Sequence, residues 1–88
     1  MRVVTRSSFG RDLRKVRDAK VRDKVEQFLD AACAAKALGE LPHVLPMTDH
    51  EGYYRVRVGK YRIGLYLDGE SLEIVRVLPR RDFYRVFP

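Results

Sequence analysis

Hydrophobic and polar positions change their period twice along this chain of 88 residues, and each change predicts an element. Arg2-Val3-Val4-Thr5 reads as a short strand. Phe9, Leu13 and Val16 then fall at helical spacing, with Ser7 or Ser8 as the N-cap and an end near Val16 or Arg17. Asp18 is placed to cap a second helix whose buried stripe is Val21, Val25, Phe28, Leu29 and Ala32. The small residues of AACAA let that helix approach its neighbour or the sheet closely, so the pair forms an αα-hairpin. Gly39, Pro42, Pro46 and Gly52 mark residues 38–52 as a connecting loop.

From Tyr53 the period becomes two, in the run YYRVRVGKYRIGLYL. Tyr54, Val56 and Val58 point one way, and Tyr53, Arg55 and Arg57 the other. Beyond a Gly59-Lys60 turn, Tyr61, Ile63, Leu65 and Leu67 form an apolar row with Arg62 and Tyr66 opposite. Strands are expected at 53–59, 60–67 and 72–78, the last two joined through Asp68-Gly69-Glu70. The third strand, LEIVRVL, is apolar on both faces except at Glu73 and Arg76, so it should be covered on both sides. Pro79 ends it, and Arg80 to Phe87 makes a short closing helix with Phe83 and Phe87 spaced to pack.

The expected fold is α+β and a single domain over residues 1–88: an N-terminal strand, a helical hairpin, and a three-stranded antiparallel meander completing a four-stranded sheet, with a short C-terminal helix. Both hairpin helices cover one face. The other face gathers Arg55, Arg57, Arg62 and Arg76, and the C-terminal segment brings Arg80, Arg81 and Tyr84 close. Arginines cannot be buried together without a counter-ion, so an open groove is expected there.

Composition narrows the partners. A chain this short buries roughly 60–65% of its unfolded surface, which leaves a small core. Cys33 is the one cysteine, so no internal disulfide forms, and a lone thiol fits a reducing, cytoplasmic setting. No run approaches the about 20 apolar residues of a membrane span, and MRVVTRSSFGRDL lacks a signal-peptide core. The net charge of +6 favours an acidic partner. Residues 1–30 interleave nine basic with five acidic groups, as helix surfaces do. Residues 53–88 carry eight basic groups, seven of them arginine, against four acids. Arginine is the residue that bidentate phosphate recognition asks for, and tyrosine rings can stack on bases, so the pattern points to RNA. His43 and His50 read as solvated loop side chains. Asp49-His50-Glu51 cannot easily converge on one ion, so neither metal nor cofactor is expected. Asp82 reads as a partner for Arg80 or Arg85.

The segments YYRVRVGKYRIGLYLDG and LEIVRVLPRRDFYRVFP, behind a helical hairpin, resemble the RelE/ParE superfamily of toxins from type II toxin–antitoxin systems, and most of all its RelE-like branch. The resemblance spans essentially the whole chain. It implies ribosome-dependent, metal-independent cleavage of mRNA in the A site, silenced by a cognate antitoxin through which the complex binds operator DNA. By motif position, Arg55 and Arg57 match the basic pair that contacts the RNA backbone, and Arg62 the arginine that stabilises the phosphate. Arg80 or Arg81 matches the arginine that assists the leaving group, and Tyr84 the terminal tyrosine that holds the nucleotide. Arg76 is expected to add to RNA binding. Pro79 stands where many relatives carry histidine, and the basic pair is arginine where lysine is usual. Arginine stays protonated below about pH 12, so both departures weaken proton transfer and leave charge stabilisation intact. The same scaffold also serves non-catalytic toxins that act on DNA gyrase. A relative that has lost activity and serves only in its antitoxin complex is a third reading.

Overall fold

A computed structural model describes residues 1–88. Strand β1 (Arg2–Thr5) leads into helices α1 (Ser7–Lys15) and α2 (Ala19–Ala34). A 3-10 turn at Leu38–Glu40 precedes β2 (Val44–Pro46), β3 (Tyr53–Val58), β4 (Tyr61–Asp68) and β5 (Ser71–Pro79), and α3 (Arg80–Val86) follows directly.

The bend of the helical hairpin is pinned from both sides. The Asp18 carboxylate accepts the Lys20 amide at 2.9 Å, which starts α2 as its sequence suggests. One guanidinium nitrogen of Arg22 donates to the carbonyls of Leu13 at 3.2 Å and Val16 at 3.1 Å, which closes α1. The start of α1 differs from expectation. Arg6 occupies the cap position with no side-chain capping bond, and the Ser8 hydroxyl is spent elsewhere.

The sheet has five strands in the order β1-β5-β4-β3-β2, not four. Val44–Pro46, read as loop, pairs antiparallel with Tyr54–Val56. Three residues are too few for a period to show, and an edge position tolerates the proline. The meander is antiparallel as expected, and at the other end of the sheet β1 runs parallel to β5. The apolar alternation itself holds. Val56, Val58, Ile63 and Leu65 meet Phe9, Val16, Val21, Val25 and Phe28 in one buried cluster, so the hairpin helices cover the face assigned to them.

Strand β1 is short and covers β5 only as far as Ile74. The exposed remainder of the β5 edge is covered by α1. In the pairing of β5 with β4, Ile74 faces Leu65 and Arg76 faces Gly64, so Val75 is an extra, bulged residue. The Ser8 hydroxyl donates to the Val75 carbonyl at 2.6 Å, and the Asp12 carboxylate accepts the Val77 amide at 3.1 Å. Residues four apart on a helix are spaced like residues two apart on a strand, so the two side chains satisfy two edge groups in register. Asp12 also holds Arg76, at 2.7 Å to Nε and 3.1 Å to the second guanidinium nitrogen. That hydrogen bond, with the carboxylate's charge, raises the Arg76 pKa further above its ordinary value despite the opposing effect of burial. No helix is long and apolar enough to cross a membrane.

Arg76→Ala leaves a carboxylate that is only 6% exposed with one amide for company, and should cost about 3 kcal/mol of unfolding free energy in urea melts. A loss under about 0.5 kcal/mol, as for exposed pairs, would show that Asp12 does not depend on Arg76.

Candidate functional site

The sheet face turned away from the hairpin carries Tyr53, Arg55 and Arg57 on β3 beside Tyr66, Gly64 and Arg62 on β4, each pair in direct register. It is not the open groove that the sequence suggested, because α3 lies across it. Gly64 makes that possible: a Cβ there would stand 2.7 Å from three ring atoms of Phe87. A bare backbone at one point of the strand gives the ring a seat on the sheet. Phe83 stacks at 5.0 Å on Phe87, whose edge meets Tyr53 at 5.6 Å, and Tyr53 leans on Tyr66 at 4.7 Å. Phe83 and Phe87 are buried by this contact, so their packing role is as expected.

Covering the face changes the state of Arg62, which is only 8% exposed. One of its terminal nitrogens donates to the carbonyls of Gly59 at 3.1 Å and Tyr61 at 2.8 Å. Its Nε is buried and has no partner. None of the three ion pairs in the protein includes it. A buried guanidinium is ordinarily paired with a carboxylate, because an uncompensated interior charge costs several kcal/mol. Here the charge is held in place by two backbone carbonyls and left without a counter-ion.

The neighbouring groups extend the same field. Arg57 lies directly across from Arg62 and is exposed. The Arg55 guanidinium donates to the Tyr84 hydroxyl at 3.1 Å, and its central carbon lies 5.8 Å from that ring's centroid. Tyr84 is 44% exposed, so one face of the ring stays available. Arg80 and Arg81 are exposed on the first turn of α3, and the Arg80 amide donates to the Lys60 carbonyl at 2.8 Å. That bond ties the start of α3 to the β3–β4 turn, at the end of the face where Arg57 and Arg62 sit. Arg85 pairs with Asp82 at 2.7 Å, as one sequence alternative had it.

Of the residues expected in the site, Arg55, Arg57, Arg62 and Tyr84 share this face, with Arg80 and Arg81 at its end. Arg76 stands opposite Gly64 at the β5 edge of the same face, where the bulge at Val75 puts it, but Asp12 on α1 holds its guanidinium and neutralises it. Sequence reasoning missed Asp12, and it missed Gly64 as the seat of α3. A polar pair at Ser8 and Asp12 beside the apolar stripe was the available signal for the first, and a glycine amid bulky strand residues for the second. His43 and His50 lie in the loops flanking β2, with the His50 ring 6.5 Å from that of Tyr53. No three histidine, cysteine or acidic side chains are grouped as metal ligands would be.

The fold and the likenesses of the whole chain define a small toxin of the type II toxin–antitoxin class. The chain belongs to the RelE/ParE superfamily: the family model of the ParE toxin of type II toxin–antitoxin systems matches residues 3–84. It is 30% identical to the toxin RelE3 of Methanocaldococcus jannaschii over the full length of both chains. It superposes with a TM-score of 0.85 on a chain of the RelB–RelE antitoxin–toxin complex of Methanococcus jannaschii, at 27% identity and covering 97% of this chain and 99% of that one. A chain of the RelBE2 toxin–antitoxin complex of Mycobacterium tuberculosis shares the fold, with a TM-score of 0.69 and 24% identity over 90% of this chain and 96% of that one.

Gly64→Ala drives a methyl group into the Phe87 ring, and should cost about 1–3 kcal/mol as overpacking does. Part of that strain should be relieved by lifting α3, so amide exchange at residues 83–87 should accelerate more than exchange in α2. Unchanged protection in α3 with unchanged stability would show that the glycine does not set the contact.

Proposed function

We propose that this toxin is a ribosome-dependent endoribonuclease that cleaves mRNA in the ribosomal A site and is held silent by a cognate antitoxin. The observation that carries the reading is Arg62, a buried cation without a carboxylate and with a free Nε, on the same face as Arg55, Arg57 and Tyr84. A guanidinium already fixed by carbonyls spends no further reorganisation when a phosphate arrives. Likeness to toxin RelE3 supports this branch over the gyrase poisons.

The chemistry follows from the groups present. The 2′-oxygen attacks the adjacent phosphorus in line, the bond from phosphorus to the 5′-oxygen breaks, and the 2′-proton must leave as the 5′-oxygen gains one. The products are a 2′,3′-cyclic phosphate and a 5′-hydroxyl. Negative charge gathers on the phosphoryl oxygens at the transition state, and Arg62 stabilises it. Arg57 and Arg55 hold the flanking backbone, Tyr84 supports a nucleotide with its exposed ring, and Arg80 or Arg81 meets the leaving oxygen. Arginine does not titrate below about pH 12 and so cannot take the 2′-proton. Pro79 offers no imidazole. The ribosome therefore positions the 2′-hydroxyl, water or a ribosomal group takes its proton, water protonates the leaving 5′-oxygen, and free RNA should be cut slowly or not at all.

The antitoxin is an acidic, partly disordered chain steered by the net charge of +6. Several solved relatives are named as antitoxin–toxin complexes. Binding of the complex to operator DNA would run through the antitoxin. A target on the ribosome places the toxin in the cytoplasm.

Arg62→Met tests the reading, because it keeps the buried volume and removes the charge. Cleavage of a translated message, followed by primer extension, should fall about 100–1,000-fold, the usual loss for one preorganised donor. Thermal stability should be equal or higher, since replacing a buried ion often stabilises. Full cleavage by the variant, or intact messages with DNA damage after induction of the parent toxin, would contradict it.

A further inference from the structure

The arginine face continues past the part of it that α3 covers. Helix α3 starts beside the β3–β4 turn, where the Arg80 amide meets the Lys60 carbonyl, and the ring of Phe87 rests on Gly64, halfway along β4. Tyr66 stands two residues further along β4, in direct register with Tyr53 on β3. The two rings lie 4.7 Å apart, and both residues stay partly exposed. Phe87 backs Tyr53 at 5.6 Å, edge to face. The ring of His50, an exposed residue, stands edge-on to Tyr53 at 6.5 Å.

The loop that carries His50 is fixed at several points. The Met47 amide donates to the Tyr53 carbonyl at 2.8 Å, the Tyr53 amide to the His50 carbonyl at 3.1 Å, and the Leu67 amide to the Gly52 carbonyl at 2.9 Å. Asp49 and Gly52 adopt left-handed backbone, with φ of 64° and 87°. A Cβ at Gly52 would stand 3.0 Å from the Tyr66 ring, so only a bare backbone brings the loop onto that ring. Asp49 and Glu51 flank His50 in the chain, exposed and outside every ion pair. Glu73, in register with Tyr66, is neutralised by Arg6 at 2.6 Å. Phosphates are not drawn to such an end. A nucleobase carries no charge, and its exocyclic amine can donate to a free carboxylate.

We infer that Tyr53, Tyr66 and His50 form a subsite for an unpaired nucleobase, the second one on the 5′ side of the cut, and that it favours a purine. The inference rests on the nuclease reading and extends it. Residues two apart on one face of a strand stand about 7 Å apart, so Tyr53 lies about 14 Å from Arg57, a span that two nucleotides of an extended single strand cover. Phosphates stay on Arg55 and Arg57 while one base turns onto the rings. Polarity follows from the leaving group. Arg80 or Arg81 meets the 5′-oxygen at the β3–β4 turn, so the 3′ fragment lies there and the 5′ part of the strand runs toward Tyr53. Stacking accepts any base but holds the larger π-face of a purine more strongly. The polar tips of the three rings, two hydroxyls and an imidazole, suit a base edge better than an apolar side chain of a protein partner.

The test uses the whole toxin and short 2′-O-methyl RNAs, which cannot be cut, carrying the fluorescent purine 2-aminopurine at the 5′ or the 3′ end. Binding should quench emission at the 5′ end more than at the 3′ end. Tyr66→Leu and His50→Ala should each relieve that quench and weaken binding about tenfold, within the usual loss for one stacked base. Tyr66→Phe, which keeps the ring, should restore both. His50 is exposed, so its variant tests the subsite even if Tyr66→Leu loosens the sheet. On translated messages the parent toxin should favour cuts with a purine at the second position upstream, and both variants should lose that preference while still cutting. RNA bound and messages cut, with quench and preference unaltered in both variants, would overturn the subsite and leave the nuclease reading. A quench confined to the 3′ end would overturn it as well. So would a toxin that sediments as a dimer which Tyr66→Leu dissociates, since the rings would then belong to a second copy. A quench at the 5′ end with messages left intact would keep the base site and remove the nuclease reading.

Discussion

A phenylalanine ring resting on a glycine determines what the arginine face is. With Gly64 bare, Phe87 comes down onto β4, Phe83 follows it into a buried position, and α3 is fixed across the sheet. Two consequences follow from that seat. Arg62 is enclosed, so its charge acts in a medium where an arriving anion is worth more than in water. Tyr84 is delivered to Arg55, so the last helix and the third strand contribute to one site. A methyl group at position 64 would disturb both together. The opposite face of the sheet is conventional by comparison, a small apolar core under two helices.

The price of leaving a buried cation unpaired is met by the rest of the fold. Carbonyls of Gly59 and Tyr61 hold one end of the guanidinium, and the β3–β4 turn that supplies the first is tied to α3 through Arg80. Arg76 shows the alternative outcome on the neighbouring strand. Its charge is met by Asp12 in a bidentate contact that ties α1 to β5. The same residue type, one strand apart, is structural in one place and available for chemistry in the other. A carboxylate within reach makes the difference.

The elements that were legible in the sequence are those set by period. Alternation from Tyr53 to Leu67 gave the hairpin, its buried face and the side on which Arg55, Arg57 and Arg62 lie. Helical spacing and Asp18 gave the αα-hairpin. What failed depends on contacts between distant residues, which a period does not encode. The strand at Val44–Pro46 exists because β3 had a free edge, not because three residues prefer to be extended. The pairing of Arg76 is decided by a carboxylate 64 residues earlier. The covering of the arginine face depends on one glycine meeting a ring 23 residues later, which neither residue announces alone.

The central proposal is that Arg62 meets a phosphate of bound RNA, and its Nε hydrogen can be watched directly. A titration of arginine-labelled toxin with a non-cleavable 2′-O-methyl RNA at low ionic strength, followed by NMR, reads that hydrogen. The Arg62 Nε–H signal should shift strongly and exchange more slowly as a phosphate oxygen accepts from it, while the Arg76 signal, already bound to Asp12, stays where it is. An Arg62 signal that does not move while those of Arg55 and Arg57 do would contradict the account, and would make Arg62 a structural cation beneath a surface that binds RNA without it.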